Sequence, residues 1–184
     1  MELRKFKQVK KGKFLSSYEI TYLNKAGREK IYEMVSRESD LSALSIGKKT
    51  AGVAIAGFKD DKVLLIREFR LGVNGYVWAF PAGLMEEGET PEQTAARELK
   101  EETGLDIIKI RDILKPSFSC TGVTDEKSYF VLCDIDGTIE DSTFPDEEIK
   151  AGLYTREEVE KLLENETFSA RTQAVCYLWT KEGQ

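Results

Sequence analysis

Residues 90–104 read TPEQTAARELKEETG, and this stretch limits the fold more than any other. Thr90 is a helix N-cap residue. Pro91 falls at the first helical position, where its missing N–H costs nothing, and Gln93 completes a capping box. Gly104 provides the C-terminal stop. The spacing predicts a helix over 91–103. On that helix Glu98, Glu101 and Glu102 stand at i, i+3 and i+4 and share one face. Like charges at this spacing cost roughly a few tenths of a kcal/mol per pair. They also lie in the last turns, where the helix dipole opposes them. Two local rules broken together fit either a solvated acidic face, with Arg97 and Lys100 as neighbours, or a place where function needs the carboxylates. The loop before the cap carries Gly83 and Gly88, and glycine lets backbone carbonyls come close to a helix face. Carbonyl oxygen plus several carboxylates suits one or more divalent cations.

The chain has no histidine. Histidine-bound zinc, Ser-His-Asp triads and Cys-His pairs are therefore excluded. A metal would be held by carboxylates and backbone oxygens, which favours hard cations such as Mg²⁺ or Mn²⁺. With 184 residues, 41% hydrophobic and 33% charged, the chain is long enough to bury a core and is globular in composition. A net charge of −6 argues against broad electrostatic binding to nucleic acid or to an anionic membrane. No run approaches the ~18 apolar residues of a membrane span. The opening MELRKFKQVKKGKF is basic but lacks the apolar stretch of a secretory signal. Cys120, Cys133 and Cys176 have no paired spacing, and are expected to be small buried residues with free thiols in a reducing cytoplasm.

Segments 16–23 and 29–37 alternate like strands around the turn Asn24-Lys25-Ala26-Gly27, which predicts an antiparallel hairpin. Strands are expected at 50–58, 63–69, 76–80 and 127–135, with a connector at 38–49 and an acidic loop over 139–150. Thr155 with Glu158 caps a helix over 156–164, and Ser169 caps one over about 170–181. This order of elements points to an α+β fold rather than a doubly wound parallel sheet.

Gly83, Glu89, Arg97-Glu98-Leu99, Glu101-Glu102 and Gly104-Leu105 match the full Nudix box, GX5EX7REUXEEXGU with U aliphatic. The chain resembles the Nudix hydrolases. That resemblance implies a mixed β-sheet sandwiched by helices. It also implies cleavage of a nucleoside diphosphate linked to another group, by water activated on Mg²⁺ or Mn²⁺. By position, Glu98, Glu101 and Glu102 would serve the metal, joined by the carbonyl of Ala82, and Arg97 would orient the glutamates by salt bridge. Without histidine, the base is sought among carboxylates. Glu101 and Glu148 are the candidates, the latter in the run Pro145-Asp146-Glu147-Glu148.

Residues 12–37, 63–89 and 168–179 resemble the ADP-ribose pyrophosphatase subfamily. This likeness implies an N-terminal β subdomain over 1–45, exchanged between the protomers of a homodimer, and a Nudix domain over 46–184. Phe14 and Tyr32 fall where such enzymes place aromatics against adenine, and Arg37 and Arg70 where they place arginines on phosphate. Arginine's planar fork suits phosphate oxygens. Strand alternation puts Arg67 on the face opposite Arg70. Trp78 is expected in the core. One position departs from the subfamily: Ser119-Cys120-Thr121-Gly122 stands where a proline is common, and Pro116 comes too early. ADP-ribose and other nucleotide sugars such as GDP-mannose therefore both remain open. A ligand-sensing regulator on this fold would have a degraded box, and this box is complete. An isomerase on the same scaffold is weakened where it needs a histidine-bound metal.

Overall fold

The structure, a computed structural model, describes residues 1–140, 142 and 148–182. The chain divides into two compact units. One comprises Met1–Ala51 with Pro116–Ser128, the other Gly52–Lys115 with Tyr129–Gln184.

The first unit contains an antiparallel sheet of β1 (Glu2–Lys10), β2 (Ser16–Leu23) and β3 (Glu29–Ser36), ordered β1-β2-β3. The β2–β3 hairpin forms as the sequence predicts. The Asn24 side chain accepts the N–H groups of Ala26 and Arg28, and Gly27 takes the left-handed φ of 71°. Tyr18, Ile20, Met34 and Leu41 form the core of this unit. Phe6 stacks on Tyr18 with ring centroids 5.1 Å apart. Residues 116–128 close against β3, where Val35 N–H donates to the Val123 carbonyl at 2.9 Å.

The second unit is built on a mixed sheet. Its strands are β4 (Gly52–Lys59), β5 (Lys62–Arg70), β6 (Gly75–Ala79), β7 (Ala82–Leu84), β8 (Asp106–Phe118), β9 (Lys127–Asp136) and β10 (Ile149–Tyr154). The main path is β10-β5-β4-β9-β8, with β6 paired to β5 and β7 to β4. The helices are α1 (Pro91–Thr103), α2 (Arg156–Asn165) and α3 (Ala170–Lys181). On one side of the sheet Val53, Ile55 and Leu64 share a core with Ala95 and Leu99 of α1. On the other, Ala54, Ala56, Val63 and Leu65 pack with Val159 of α2 and with Cys176 and Trp179 of α3. Coverage on both faces explains why β4 is an unbroken apolar run rather than an alternating one. Leu99 is fully buried, so truncating it to alanine would cost about 2–5 kcal/mol. The α+β architecture thus stands as expected from the pattern of elements.

Several expectations need correction. The N-terminal residues form a strand, β1, that alternation did not announce. Its pairing with β2 shifts register between Leu3 and Lys5, so its inward residues are not spaced by two. β8 also went unseen: its burial repeats every third residue, and it contains Pro116, which an edge strand tolerates. Gly83 and Leu84, expected in the loop before the helix, belong to β7 and pair with β4, and residues 149 and 150, the end of the expected acidic loop, begin β10. Cys120 is exposed, not a buried small residue; it sits in a turn whose Val123 and Thr124 N–H groups bond its carbonyl. Cys133 and Cys176 are buried as expected, and burial pushes both thiols up to about 12. Trp78 is a core residue, stacked on Phe168 and edge-on to Tyr154. Among the described residues no helix is long and apolar enough to cross a membrane.

Candidate active site

The register of α1 is fixed at both ends. Thr90 Oγ1 accepts the Gln93 N–H at 3.3 Å, and the Gln93 side chain accepts the Thr90 N–H at 2.9 Å. Gly104 takes φ 74° and donates its N–H to the Lys100 carbonyl. With the ends fixed, Ala95 and Leu99 turn into the core, and Glu98 and Glu102 are drawn into buried positions beside them.

Arg97 holds this acidic face together. Its Nε and Nη2 bind the two oxygens of Glu89 at 2.8 and 2.9 Å. Its Nη1 donates to Glu98 Oε1 at 2.8 Å and to Glu101 Oε2 at 3.2 Å. Nη2 also donates to the Leu84 carbonyl at 3.0 Å. One guanidinium thus offsets the repulsion that the sequence raised, through the charge-assisted bonds at which arginine excels. The Arg97 fork holds the Glu89 carboxyl down at about 2, helped by the Glu86 N–H. The reciprocal effect, chiefly from Glu89, pushes the Arg97 guanidinium above its ordinary value.

Strand β7 brings backbone against the same face. Ala82 stands opposite Ala54 on β4, and its N–H donates to Glu102 Oε2 at 3.3 Å. The Glu98 carboxylate lies directly against Gly83, in the space that a Cβ there would take. Gly83 is therefore required for close approach. Gly52 meets a matching constraint, since a Cβ on it would lie 2.1 Å from the Gly83 carbonyl oxygen. Among the described residues no three acidic side chains are already drawn into an ion-holding cluster; Arg97 engages Glu98 and Glu101 instead. The donor set nonetheless fits a hard divalent cation, being carboxylate and carbonyl oxygens without nitrogen or sulfur.

Ala82, Arg97, Glu98, Glu101 and Glu102 are therefore brought together. Glu148 is not part of this group. Its carboxylate accepts the Tyr76 hydroxyl at 2.6 Å. Its neighbours Pro145, Asp146 and Glu147 lie outside the described residues. Arg70 donates to Glu68 Oε1 at 2.6 Å. By alternation along β5 it shares a face with Leu64, the residue packed on α1, whereas Arg67 stands on the other face, over the Tyr76 ring at 4.0 Å. In the first unit, Phe14 is 70% exposed, with the Lys13 ammonium 4.9 Å from its ring. Tyr32 donates to the Gly122 carbonyl at 2.6 Å and lines a cavity of about 580 Å³ with Tyr22, Met34 and Phe118. Arg37 is paired with Glu126. Sequence reasoning gave no role to Glu89 or Tyr76. Glu89 was visible as a fixed position of the box, whereas the partner of Tyr76 lies 72 residues away and left no local signal.

A family model described as the NUDIX domain matches residues 48–174. The chain belongs to the Nudix family. Among Nudix relatives, an ADP-ribose pyrophosphatase of Bacillus subtilis is 33% identical over 146 residues, spanning 77% of this chain and 78% of the relative. An ADP-ribose pyrophosphatase of Saccharomyces cerevisiae is 30% identical over 149 residues, spanning 79% of this chain but 63% of the relative. A crystal structure of an ADP compounds hydrolase superposes with a TM-score of 0.76 at 21% identity, covering 98% of this chain and 91% of that one. This last likeness bears on the fold.

Proposed function

We propose that this Nudix protein hydrolyses the pyrophosphate of ADP-ribose, releasing AMP and ribose 5-phosphate. Mg²⁺ or Mn²⁺ would be held by Glu98, Glu101, Glu102 and the Ala82 carbonyl. The observation that carries the reading is the α1 face, where one arginine gathers acidic side chains against the backbone of β7. The relatives named ADP-ribose pyrophosphatase support the choice of substrate.

A cation held by Glu98, Glu101, Glu102 and the Ala82 carbonyl would offset the pyrophosphate charge and lower the pKa of the attacking water. Arg97 is a positioning residue that aims Glu98 and Glu101. Arg37 and Arg70 exchange their carboxylate partners for phosphate oxygens, and Phe14 and Tyr32 contact the adenine. Base stacking of this kind is worth ~1–3 kcal/mol in nucleic-acid binding. Of the two candidates for the base, Glu101 already serves Arg97 and the metal. Glu148 accepts a bond from the Tyr76 phenol. Phe58 faces Val63 across the β4–β5 pair, so Ala54 and Arg67 are equally far from the turn. Beyond that turn β4 pairs with β7 and β5 with β6, and Glu148, beside Phe69, stands by alternation on the face of Arg67 rather than that of Leu64. Glu101 and Glu148 therefore both stand as candidates for the base, and comparing Glu101→Gln with Glu148→Gln separates them.

The protein is read as a homodimer acting in the cytoplasm, a setting that its free thiols suit. Light scattering checks the first point, with twice the chain mass expected. The central test is a substrate panel of ADP-ribose, other ADP-sugars and GDP-mannose, with Mg²⁺, Mn²⁺ or chelator. AMP and ribose 5-phosphate are expected from ADP-ribose only with metal, and Glu102→Gln is expected to abolish nearly all turnover. Preference for GDP-mannose would move the substrate assignment, in line with the departure at Cys120. No metal-dependent turnover on any member of the panel would sink the reading.

A further inference from the structure

We propose that Thr94 is a positioning residue that aims Glu98 and Glu101 through Glu89 and Arg97. The inference rests on the reading of those two glutamates as metal ligands. Thr94 fills one of the open places of the box between Glu89 and Arg97, where the motif asks for no particular residue. On α1 it stands three residues before Arg97 and four before Glu98, so the three share a face. Helical side chains lean toward the helix N-terminus, and Arg97 accordingly reaches back to Glu89, which precedes the cap. Thr94 is fully buried, and its Oγ1 donates to Glu89 Oε2 at 2.8 Å. The Thr90 carbonyl lies 3.2 Å from the same hydroxyl, which is the back-bond of an ordinary helical threonine. A hydroxyl has one proton to give. The carboxylate is nearer and charged, and the Thr90 carbonyl already accepts the Thr94 N–H at 3.0 Å. The proton therefore goes to Glu89.

The hydroxyl completes the bonding of Glu89. Oε1 accepts Arg97 Nε, and Oε2 accepts Arg97 Nη2, the Glu86 N–H and Thr94. A carboxylate has about four acceptor sites, and all are used. The Glu86 N–H belongs to the loop before α1, whereas Thr94 belongs to the helix. Thr94 thus ties Glu89 to the same element that carries Glu98 and Glu101. The Arg97 guanidinium is a rigid plane, so a shift of Glu89 on one side of it moves Nη1 on the other. Nη1 is the nitrogen that donates to Glu98 and Glu101. The route from the buried hydroxyl to the two glutamates is therefore an unbroken series of hydrogen bonds.

The test uses Thr94→Val, which keeps the branched shape, Thr94→Ala, which removes the hydroxyl without crowding Glu89, and Thr94→Ser, which keeps it. Thr90→Ala controls for lost helix stability alone. Mn²⁺ affinity, and kcat and KM on ADP-ribose, are measured well below each Tm. Thr94→Val and Thr94→Ala should weaken Mn²⁺ binding and lower kcat by about three- to tenfold, below the roughly 10- to 100-fold for a group that touches the ligand itself. KM should be nearly unchanged, and Thr94→Ser should recover most of both losses. In a Glu89→Ala background Thr94→Val should cost nothing further, because its path is gone. Wild-type affinity and kcat in both hydroxyl-free variants, losses that multiply with Glu89→Ala, or a serine no better than valine would each overturn the proposal. A second measurement needs neither metal nor substrate. The Arg97 Nε–H resonance of the metal-free protein, assigned by its absence in Arg97→Lys, should move and exchange faster with water in Thr94→Val than in Thr90→Ala. An unchanged resonance would overturn the link. A changed one, with no metal-dependent turnover of any nucleotide sugar, would uphold the link and count against the hydrolase reading alone.

Discussion

The Glu98 carboxylate occupies the space beside Gly83, so that a Cβ on residue 83 would lie 1.8 Å from Glu98 Cδ and 2.0 and 2.1 Å from its oxygens. The atoms it would displace are the movable end of a side chain, not backbone. Gly83→Ala should therefore fold but push Glu98 off its position. Metal affinity and kcat/KM are expected to fall roughly 10- to 100-fold, the range found when groups that orient metal ligands are lost. The metal-free Tm should drop by no more than about 2–4 °C, about 1 kcal/mol for a chain of this size. Mn²⁺ titration and thermal melts on the same variant check both halves. A large fall in Tm with affinity intact would show that the glycine serves packing alone.

The link between Glu89 and Arg97 predicts an acid-sensitive contribution to stability. The folded Glu89 carboxyl titrates at about 2, below its ordinary value of 4.5, because Arg97 and the Glu86 N–H favour the charged form. A depressed carboxyl stabilises the fold above its unfolded pKa and loses that contribution as pH falls through the folded one. Wild type should therefore be more stable than Glu89→Gln at neutral pH. The gap should narrow as pH drops from about 4.5 toward about 2. Melting both proteins across that window is the check, and a gap that stays constant would count against the link.

The helices were legible because their signals are local. Thr90, Pro91, Gln93 and Gly104 marked both ends of α1, and Thr155 with Glu158 marked the start of α2, as the observed capping boxes show. The glutamate face and its arginine were legible for the same reason, since helical spacing alone brings them together. What was missed is set by distant pairing. β7 is a strand only because Gly52–Ala54 lies beside it, and three residues carry no periodicity. β8 reads in threes and carries Pro116 within it. Neither the Tyr76–Glu148 bond nor the pairing of Arg37 with Glu126 has a counterpart in sequence spacing.

Arg97 is not replaceable by lysine. It contacts Glu89, Glu98, Glu101 and the Leu84 carbonyl at once, through three nitrogens in one plane. An ammonium is a point charge and cannot span these partners. Arg97→Lys should lower kcat/KM roughly 10- to 100-fold, as loss of an orienting group does. It should cost more than Glu89→Gln, which leaves the bonds to Glu98 and Glu101 available. Comparing kcat/KM of the two variants decides this, and a lysine enzyme near wild type would mean that charge alone, not the fork, holds the face.

Thr90 separates stability from chemistry. Its side chain accepts the Gln93 N–H and its own N–H is taken by the Gln93 amide oxygen, so both halves of the box depend on this position. Thr90 Oγ1 touches none of the acidic groups of the site in this network; its effect passes through the first turn of α1. Thr90→Ala removes the accepting oxygen and should cost about 1 kcal/mol. For a chain of this length that corresponds to a Tm lower by about 2–4 °C. Glu98 and Glu101 are held by Arg97 and Glu102 by the Ala82 N–H, toward the far end of the helix, so kcat at a temperature well below the transition should remain within about twofold of wild type. Thr90→Ser keeps the oxygen and should restore most of the lost Tm. A variant that keeps its Tm but loses kcat would show instead that the start of α1 sets the geometry of its glutamates, and that the two ends of the helix are coupled more tightly than the local bonds imply.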